Sequence, residues 1–423
     1  MSERLEKFIG LAKSKFGLKN YRLHTHDISR HVNEFKETEY VLAMEFFPPH
    51  VEGPLADGSN PPGTAVIEMD VQRKMFNQVI FVEGKSFAED GVAFPNLDTN
   101  RMIQWIEKET GMTYDHDFFL VKSEERKLYF EARCNGLPVY PLASIEIELD
   151  EDGRLILFSI DGSFPKGKRV KTEKFHLSLE TLADIAKQQI QLVEFPLHSN
   201  NKILPFYSLE EIFITNNDQH LMEIAINPVI QPVPINQTIS WQEPLQEDFE
   251  RQEIAVEEKV TFEQALAGEP SPDVLPITEE EQQNCVKAVW QFLRQVYPDD
   301  SGKWILKTLH RESGWIHASL RREESSSFIM QRKLTVVIDP NHFQAINYFD
   351  NQEIIETVYS QFEKQGEINI EKEEAFEKLK ERMTLKPVYV YDQEKDMYRL
   401  CGKLECDYAI NAINGEMVHL NDI

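Results

Sequence analysis

Five times along the chain a short apolar run ends on Asp or Asn, turns, and gives way to a second run. The stretches are AVIEMDVQRKMFNQVIFV around Asp70, IEIELDEDGRLILFSI around Asp150, MEIAINPVIQPV around Asn227, TVVIDPNHFQAINYF around Asp339 and YAINAINGEMVHL around Asn411. This recurrence constrains the fold more than any other feature. Asp and Asn side chains bond their own backbone two residues on, so they favour turns. The pivots stand about 75 residues apart once an acidic segment is taken out of the third interval, a period that marks stacked supersecondary units. Asp152-Gly153 and Asn414-Gly415 suit the positive φ of tight hairpin turns. The Asp-to-Asn alternation favours a structural role: a turn accepts either residue, whereas a metal ligand or acid catalyst generally does not.

Strand-like runs precede each pivot: TEYVLAMEFFP, RKLYFEARCNGLPVYP, KILPFYSLEEIFI, GWIHASLRR and DMYRLCGKLE. They are rich in aromatic and β-branched residues with partial period-two alternation. Helical patterns come before those runs. SERLEKFIGLAKSKFG places Leu5, Phe8, Ile9 and Ala12 on one stripe and stops at Gly17. LDTNRMIQWIEKETG offers Asp98 or Thr99 as cap and Gly111 as terminator, and LSLETLADIAKQQIQL offers Ser178. TEEEQQNCVKAVWQFLRQVYP opens with a capping-box spelling, Thr278 to Glu281. NIEKEEAFEKLKERMTL carries Ala375, Leu379 and Met383. The expected unit is a helix followed by an antiparallel β-meander, repeated five times. Helices on one face of such sheets make an α+β fold.

The chain of 423 residues is long enough for two to four domains. The segment QPVPINQTISWQEPLQEDFERQEIAVEEKVTFEQALAGEPSPDVLPITEEE is rich in Pro, Glu and Gln, with apolar residues thinly spread. Such composition predicts a linker with one short helix near Phe262–Ala267. The expected organisation is an N-terminal domain over 1–232 with about three units, an acidic linker over 233–275, and a C-terminal domain over 276–423 with about two. A net charge of −27 works against binding DNA or RNA, since each phosphate contact would oppose the global field. It fits a soluble protein, a cationic partner, or simply a host with an acidic proteome, since charge alone speaks to solubility rather than function. No apolar run is long enough to span a bilayer. The N-terminus lacks the unbroken apolar core of a secretory signal. The four cysteines, Cys134, Cys285, Cys401 and Cys406, are scattered, as suits a reducing compartment. The expected location is the cytoplasm.

The terminal residues carry a resemblance. Val388-Tyr-Val-Tyr391, Met397-Tyr-Arg-Leu400 and Tyr408–Glu416 follow one another in the manner of a "YVY" run, a "YRLVW"-like strand and a closing "yiDAxTGE". Phe130–Leu157 is similar to the strand, the "NGIPV" phrase and the D-x-D-G turn of the same pattern, and Leu177–Ile230 matches more weakly. The chain resembles the YcdB/YcdC repeated domain of Bacillus-type proteins and, more broadly, PepSY-like units. The chain departs from that pattern where Asn411 and Asn227 stand in place of the closing Asp. The tryptophan after the "YRL" strand is missing, with Gly402 near that point. The resemblance implies an association with peptidase regulation or inhibition, and it brings no catalytic residues to carry over.

Several constellations bear on chemistry. YRLHTHDISRH gathers His24, His26 and His31 with Asp27. On a strand His24 and His26 share a face and offer two imidazoles to a metal, with His31 or Asp27 as third ligand. HRESGWIH holds His310, Glu312 and His317 but lacks the i, i+4 pair of a zinc-protease helix, and Gly314 marks it as a turn between strands. Cys401 and Cys406 are an odd number of residues apart and no other pair completes a four-ligand set. Cys134 or Cys285 would need an adjacent base to act as a nucleophile. DEDG at 150–153 lacks the later glutamate of a calcium loop. TYDHDFF reads as a loop, GSNPPGTAV has no lysine for a phosphate loop, and FPKGKRVKTEK is the strongly basic run, suited to an acidic partner or the acidic linker.

The function expected from these residues is non-enzymatic binding of a protein or peptide, through a sheet edge or a groove between units. No catalytic, cofactor-binding or metal-ligating residue is assigned, and no cofactor, nucleic-acid partner or membrane span is expected. Two rivals stand beside it: a metal-dependent hydrolase using His24, His26 and His31, and a structural repeat protein that acts by self-assembly.

Overall fold

A computed structural model describes residues 3–165, 167–197, 201–222, 224, 227, 229–230, 232–254, 259–322, 331–364 and 366–423. The fold is mixed α+β, mostly β, with several antiparallel sheets. The chain divides into two compact units, each assembled from separate stretches. The first comprises Met1–Thr172, Glu257–Val274 and Val388–Arg399, the second Glu173–Val256, Leu275–Pro387 and Leu400–Ile423.

In the first unit helix α1 (Glu3–Lys15) precedes strands β1 (Arg22–Val32), β2 (Thr38–Phe47), β3 (Ala65–Asp70) and β4 (Met75–Phe81). Helix α2 (Thr99–Thr110) precedes β5 (Phe118–Ser123), β6 (Lys127–Cys134), β7 (Leu137–Tyr140), β8 (Ser144–Leu149) and β9 (Leu155–Asp161). The antiparallel order is β1-β2-β3-β4-β9-β8-β6, with β5 paired to β6, so β1 stands at one end. Strand β7 adds a parallel pairing, Val139 to Tyr389, and β10 (Arg169–Val170) another, to Met397 and Tyr398. Period-two alternation buries Tyr40, Leu42, Met44 and Phe46 of β2 and Ile145, Ile147 and Leu149 of β8. Leu5, Phe8, Ile9 and Ala12 of α1 and Met102 and Ile106 of α2 close that core. Asp98 caps α2, accepting from Asn100 and Arg101, and Gly111 ends it at φ 63°. Gly17 is required after α1: at φ +68° a Cβ would lie 2.2 Å from the Glu89 carbonyl oxygen.

The second unit opens with α3 (Ala183–Gln189), β11 (Ile190–Leu197), β12 (Lys202–Leu209), β13 (Ile212–Thr215), β14 (Leu221–Met222) and β15 (Val233–Ile239). Ser178 does not cap α3, whose first turn has no side-chain cap; it serves the turn before it, accepting from Thr181 N–H. Helix α5 (Glu279–Val296) leads into β16 (Trp304–Glu312), β17 (Trp315–Arg322), β18 (Leu334–Ile338) and β19 (Ala345–Asp350). The Thr278–Glu281 capping box is formed in both directions. Strands β15 to β19 make one antiparallel sheet in chain order, and α5 packs Cys285, Val289, Phe292 and Leu293 against its Leu309, Ile316, Ala318 and Val336. After α6 (Gln352–Tyr359), β20 (Glu363–Lys364) and α7 (Lys372–Leu379) come β21 (Thr384–Asp392), β22 (Met397–Glu405), β23 (Tyr408–Asn411) and β24 (Met417–His419). The division between the units falls inside β21 and β22.

In the sheet orders β12 does not stand beside β13, nor β22 beside β23. Strand β12 pairs with β23, Phe206 opposite Asn411, and β13 pairs with β22, Ile212 opposite Leu404. This reciprocal exchange fastens residues 202–215 to 401–411.

The expected division at 232 and 276 is therefore not the one observed, and 233–275 is not a free linker. Three of its apolar residues, Ile239, Phe262 and Ala265, are buried. Strand β15 pairs with β16, and Ile239 is 2% exposed. Helix α4 (Phe262–Ala267), where a short helix was expected, puts Phe262 and Ala265 into the core of the first unit. The Phe262 ring meets Phe8 edge-on at 5.4 Å.

All five pivots make one local bond. The side-chain oxygen accepts the main-chain N–H two residues on: Gln72 to Asp70 at 2.8 Å, Asp152 to Asp150 at 2.9 Å, Val229 to Asn227 at 3.0 Å, Asn341 to Asp339 at 2.9 Å and Ile413 to Asn411 at 2.9 Å. Four of the pivots join antiparallel neighbours, β3–β4, β8–β9, β18–β19 and β23–β24. Among the described residues no helix is long and apolar enough to cross a membrane.

Candidate functional site

The N-terminal histidines lie on β1, at the end of its sheet. A register irregularity between Leu23 and Thr25 puts His24 at a bulge, where its ring stacks on Phe47 at 4.1 Å. His31 bonds Ser29 Oγ through Nε2 at 2.7 Å. His26 and His31 are an odd number of residues apart and point to opposite faces. The described residues hold one trio of His, Cys, Asp or Glu whose ligand atoms lie within 4.8 Å of one another, and it is not this one.

The edge itself has a definite polarity. Asn33 N–H donates to the Glu37 carbonyl across the β1–β2 connection at 3.0 Å. Counting back from that bond, alternate residues exchange bonds with β2, and His26, Ile28 and Arg30 turn their N–H groups away from it. Tyr40, opposite Arg30, turns its carbonyl the other way, to Val71 N–H, as this phase requires.

The trio comes from the stretch expected to be only a turn. Ser313 and Gly314, at φ 53° and 79°, form a two-residue connection between β16 and β17. That connection sets Glu312 opposite Trp315 and His310 directly opposite His317. Pleating then puts His310, Glu312 and His317 on one face. The imidazole rings stack at 5.2 Å with 21° between their planes. His310 Nε2 lies 3.5 Å from Glu312 Oε2. The alternate residues Leu309, Ile316 and Ala318 face α5, so the trio lies on the sheet face away from that helix. His310 is 7% exposed and Glu312 is half-exposed. Burial, and next the neighbouring His310, push the His317 imidazole down to about 4, so both act to keep it neutral. The hydrogen bond with His310 holds Glu312 below the ordinary carboxylate range. Two imidazole nitrogens and one carboxylate oxygen then converge, a donor set suited to zinc. The sequence signal was present: a two-residue Ser-Gly turn fixes the register that opposes the histidines.

The remaining candidates are structural. Burial pushes the Cys134 and Cys285 thiols up to about 12, which leaves little thiolate to react. Cys401 and Cys406 are buried as well. Asp150 accepts from Asp152 and Arg154, making DEDG a turn. In TYDHDFF, Asp117 accepts from Thr113 N–H and meets His116 Nδ1 at 2.8 Å. Lys168 of the basic run reaches Glu37 at 3.0 Å and lies over the Phe35 ring at 4.6 Å. A cavity of about 160 Å³ in the first unit is lined by Phe16, Phe81, Asp90 and Arg154 among others. It is smaller than the roughly 300–1,000 Å³ of small-molecule sites.

No protein-family model matches the chain, and no curated protein matches it. Among solved structures, the Bacillus megaterium YpeB C-terminal domain is similar to this chain at 16% identity and a TM-score of 0.27, over 53% of this chain and 96% of its own length.

Proposed function

We propose that the chain is a non-enzymatic binding protein, built from five PepSY-like helix–meander units, that takes an extended basic peptide along the outer edge of β1. The observation that carries this reading is the edge itself. Strand β1 is eleven residues long, ends its sheet, and directs the N–H groups of His26 and Ile28 away from β2. Main-chain groups aimed outward in this way are what a peptide adds to when it extends a sheet. The bulge at His24 and the charges of Arg22, Asp27 and Arg30 discourage indiscriminate pairing between edges. The net charge of −27 favours a cationic partner. The five-unit reading is supported by the order of elements, since α1, α2, α3, α5 and α7 each precede a group of strands, and by the common bond at the five pivots.

The test is titration of a fluorescent basic-peptide library onto the full chain, with His26→Pro as the comparison. Proline at position 26 removes an outward donor and leaves the β2 ladder intact. Saturable binding weakened severalfold by His26→Pro supports the edge; equal affinity in both proteins excludes it. Sedimentation of the free protein checks whether a second copy occupies the same edge.

A further inference from the structure

We propose that His310, Glu312 and His317 form a binding site for a divalent late transition metal, Zn²⁺ by its ligand set, with one coordination position left open.

The backbone assembles the site before any ion arrives. The Ser313-Gly314 connection fixes which residues oppose each other, and the strand pleat fixes which share a face. The two histidines are cross-strand partners and the glutamate is two residues from one of them, so none of the three depends on a loop for its position. Zinc bonds nitrogen at about 2.0–2.1 Å and carboxylate oxygen at about 2.0–2.2 Å, which puts tetrahedral ligand atoms about 3.3–3.5 Å apart. The His310 Nε2 to Glu312 Oε2 distance is already 3.5 Å, and the three ligand atoms lie within 4.8 Å of one another. Small side-chain rotations suffice to close the set.

The donor types select the ion. Imidazole suits Zn²⁺, Cu²⁺ and Ni²⁺, whereas Ca²⁺ and Mg²⁺ prefer shells of oxygen alone. The surroundings fit a held ligand set. His310 is buried, so its ring is confined by packing, and Glu312 is half-exposed, which leaves a solvent path to the ion. Three protein ligands leave one position of a tetrahedral zinc ion open. The N-terminal histidines offer no comparable convergence.

The experiment is equilibrium dialysis of the full chain against Zn²⁺ with metal analysis, and the visible spectrum of the Co²⁺-loaded protein. One equivalent of zinc, with cobalt bands of four- or five-coordination, is the expected result. Glu312→Gln should weaken zinc binding by more than about tenfold, and His317→Ala should abolish it. Glu312 is half-exposed, so its variant keeps the fold, which circular dichroism checks. His26→Ala should leave binding unchanged. The proposal is overturned if the protein takes up less than half an equivalent. It is also overturned if Glu312→Gln and His317→Ala bind zinc as tightly as the parent, or if His26→Ala removes the metal.

Discussion

Asn411 accepts the main-chain N–H of Ile413 through its side-chain oxygen at 2.9 Å, and its backbone lies opposite Phe206 in the β12–β23 pairing. One residue therefore closes a local turn and stands at a long-range junction. Asn411 is 8% exposed, and Ala at that position would take the acceptor away from the N–H groups of Ile413 and Asn414. We expect Asn411→Ala to lower stability by about 1–2 kcal/mol in urea unfolding. Asn411→Asp should stay within about 1 kcal/mol of the parent. Asp70 fills the same turn role at 3% exposure, so the turn accepts either residue. A larger loss for Asp than for Ala would show that the turn bond is not what holds this site.

Phe262 tests whether the acidic segment belongs to the first unit. Its ring contacts Phe8 and is 9% exposed. Deleting a buried phenylalanine side chain costs about 3–5 kcal/mol. We expect Phe262→Ala to cost about 3 kcal/mol by chemical denaturation. A change within about 0.5 kcal/mol, as for a surface position, would return the segment to a linker.

Glu405 sets a pH dependence. Burial alone would raise its pKa, but Lys386 and Lys403, at 2.5 and 2.9 Å, outweigh burial and hold it at about 2. A carboxylate whose folded pKa lies below its unfolded one adds stability that is fully present above the unfolded value, near 4.5. That stability is lost as pH falls from there toward 2. The slope contributed is up to about 1.4 kcal/mol per pH unit over that window. Glu405→Gln should flatten the stability profile between pH 4.5 and 2. An unchanged slope in the variant would remove this pair of lysines as its cause.

The letters alone determined what short-range bonds decide. Asp98, Thr278 and Gly111 mark helix ends because a cap is satisfied by residues two to four away. The Asx pivots were legible for the same reason, and the Ser313-Gly314 turn carried the register that opposes His310 to His317. That consequence was missed because helical ligand spacing was sought in a stretch that forms a hairpin.

Tertiary structure decided the rest. Nothing within a few residues of Leu209 says that β12 bypasses β13 and joins β23; that choice depends on a strand about 200 residues later in the chain. Nor could composition place Phe262 in the core of the first unit, since thinly spread apolar residues look solvated until another element buries them. Local hydrogen bonds are written into neighbouring residues. The partner of a strand edge or of a lone aromatic ring is set by burial, which only the folded chain supplies.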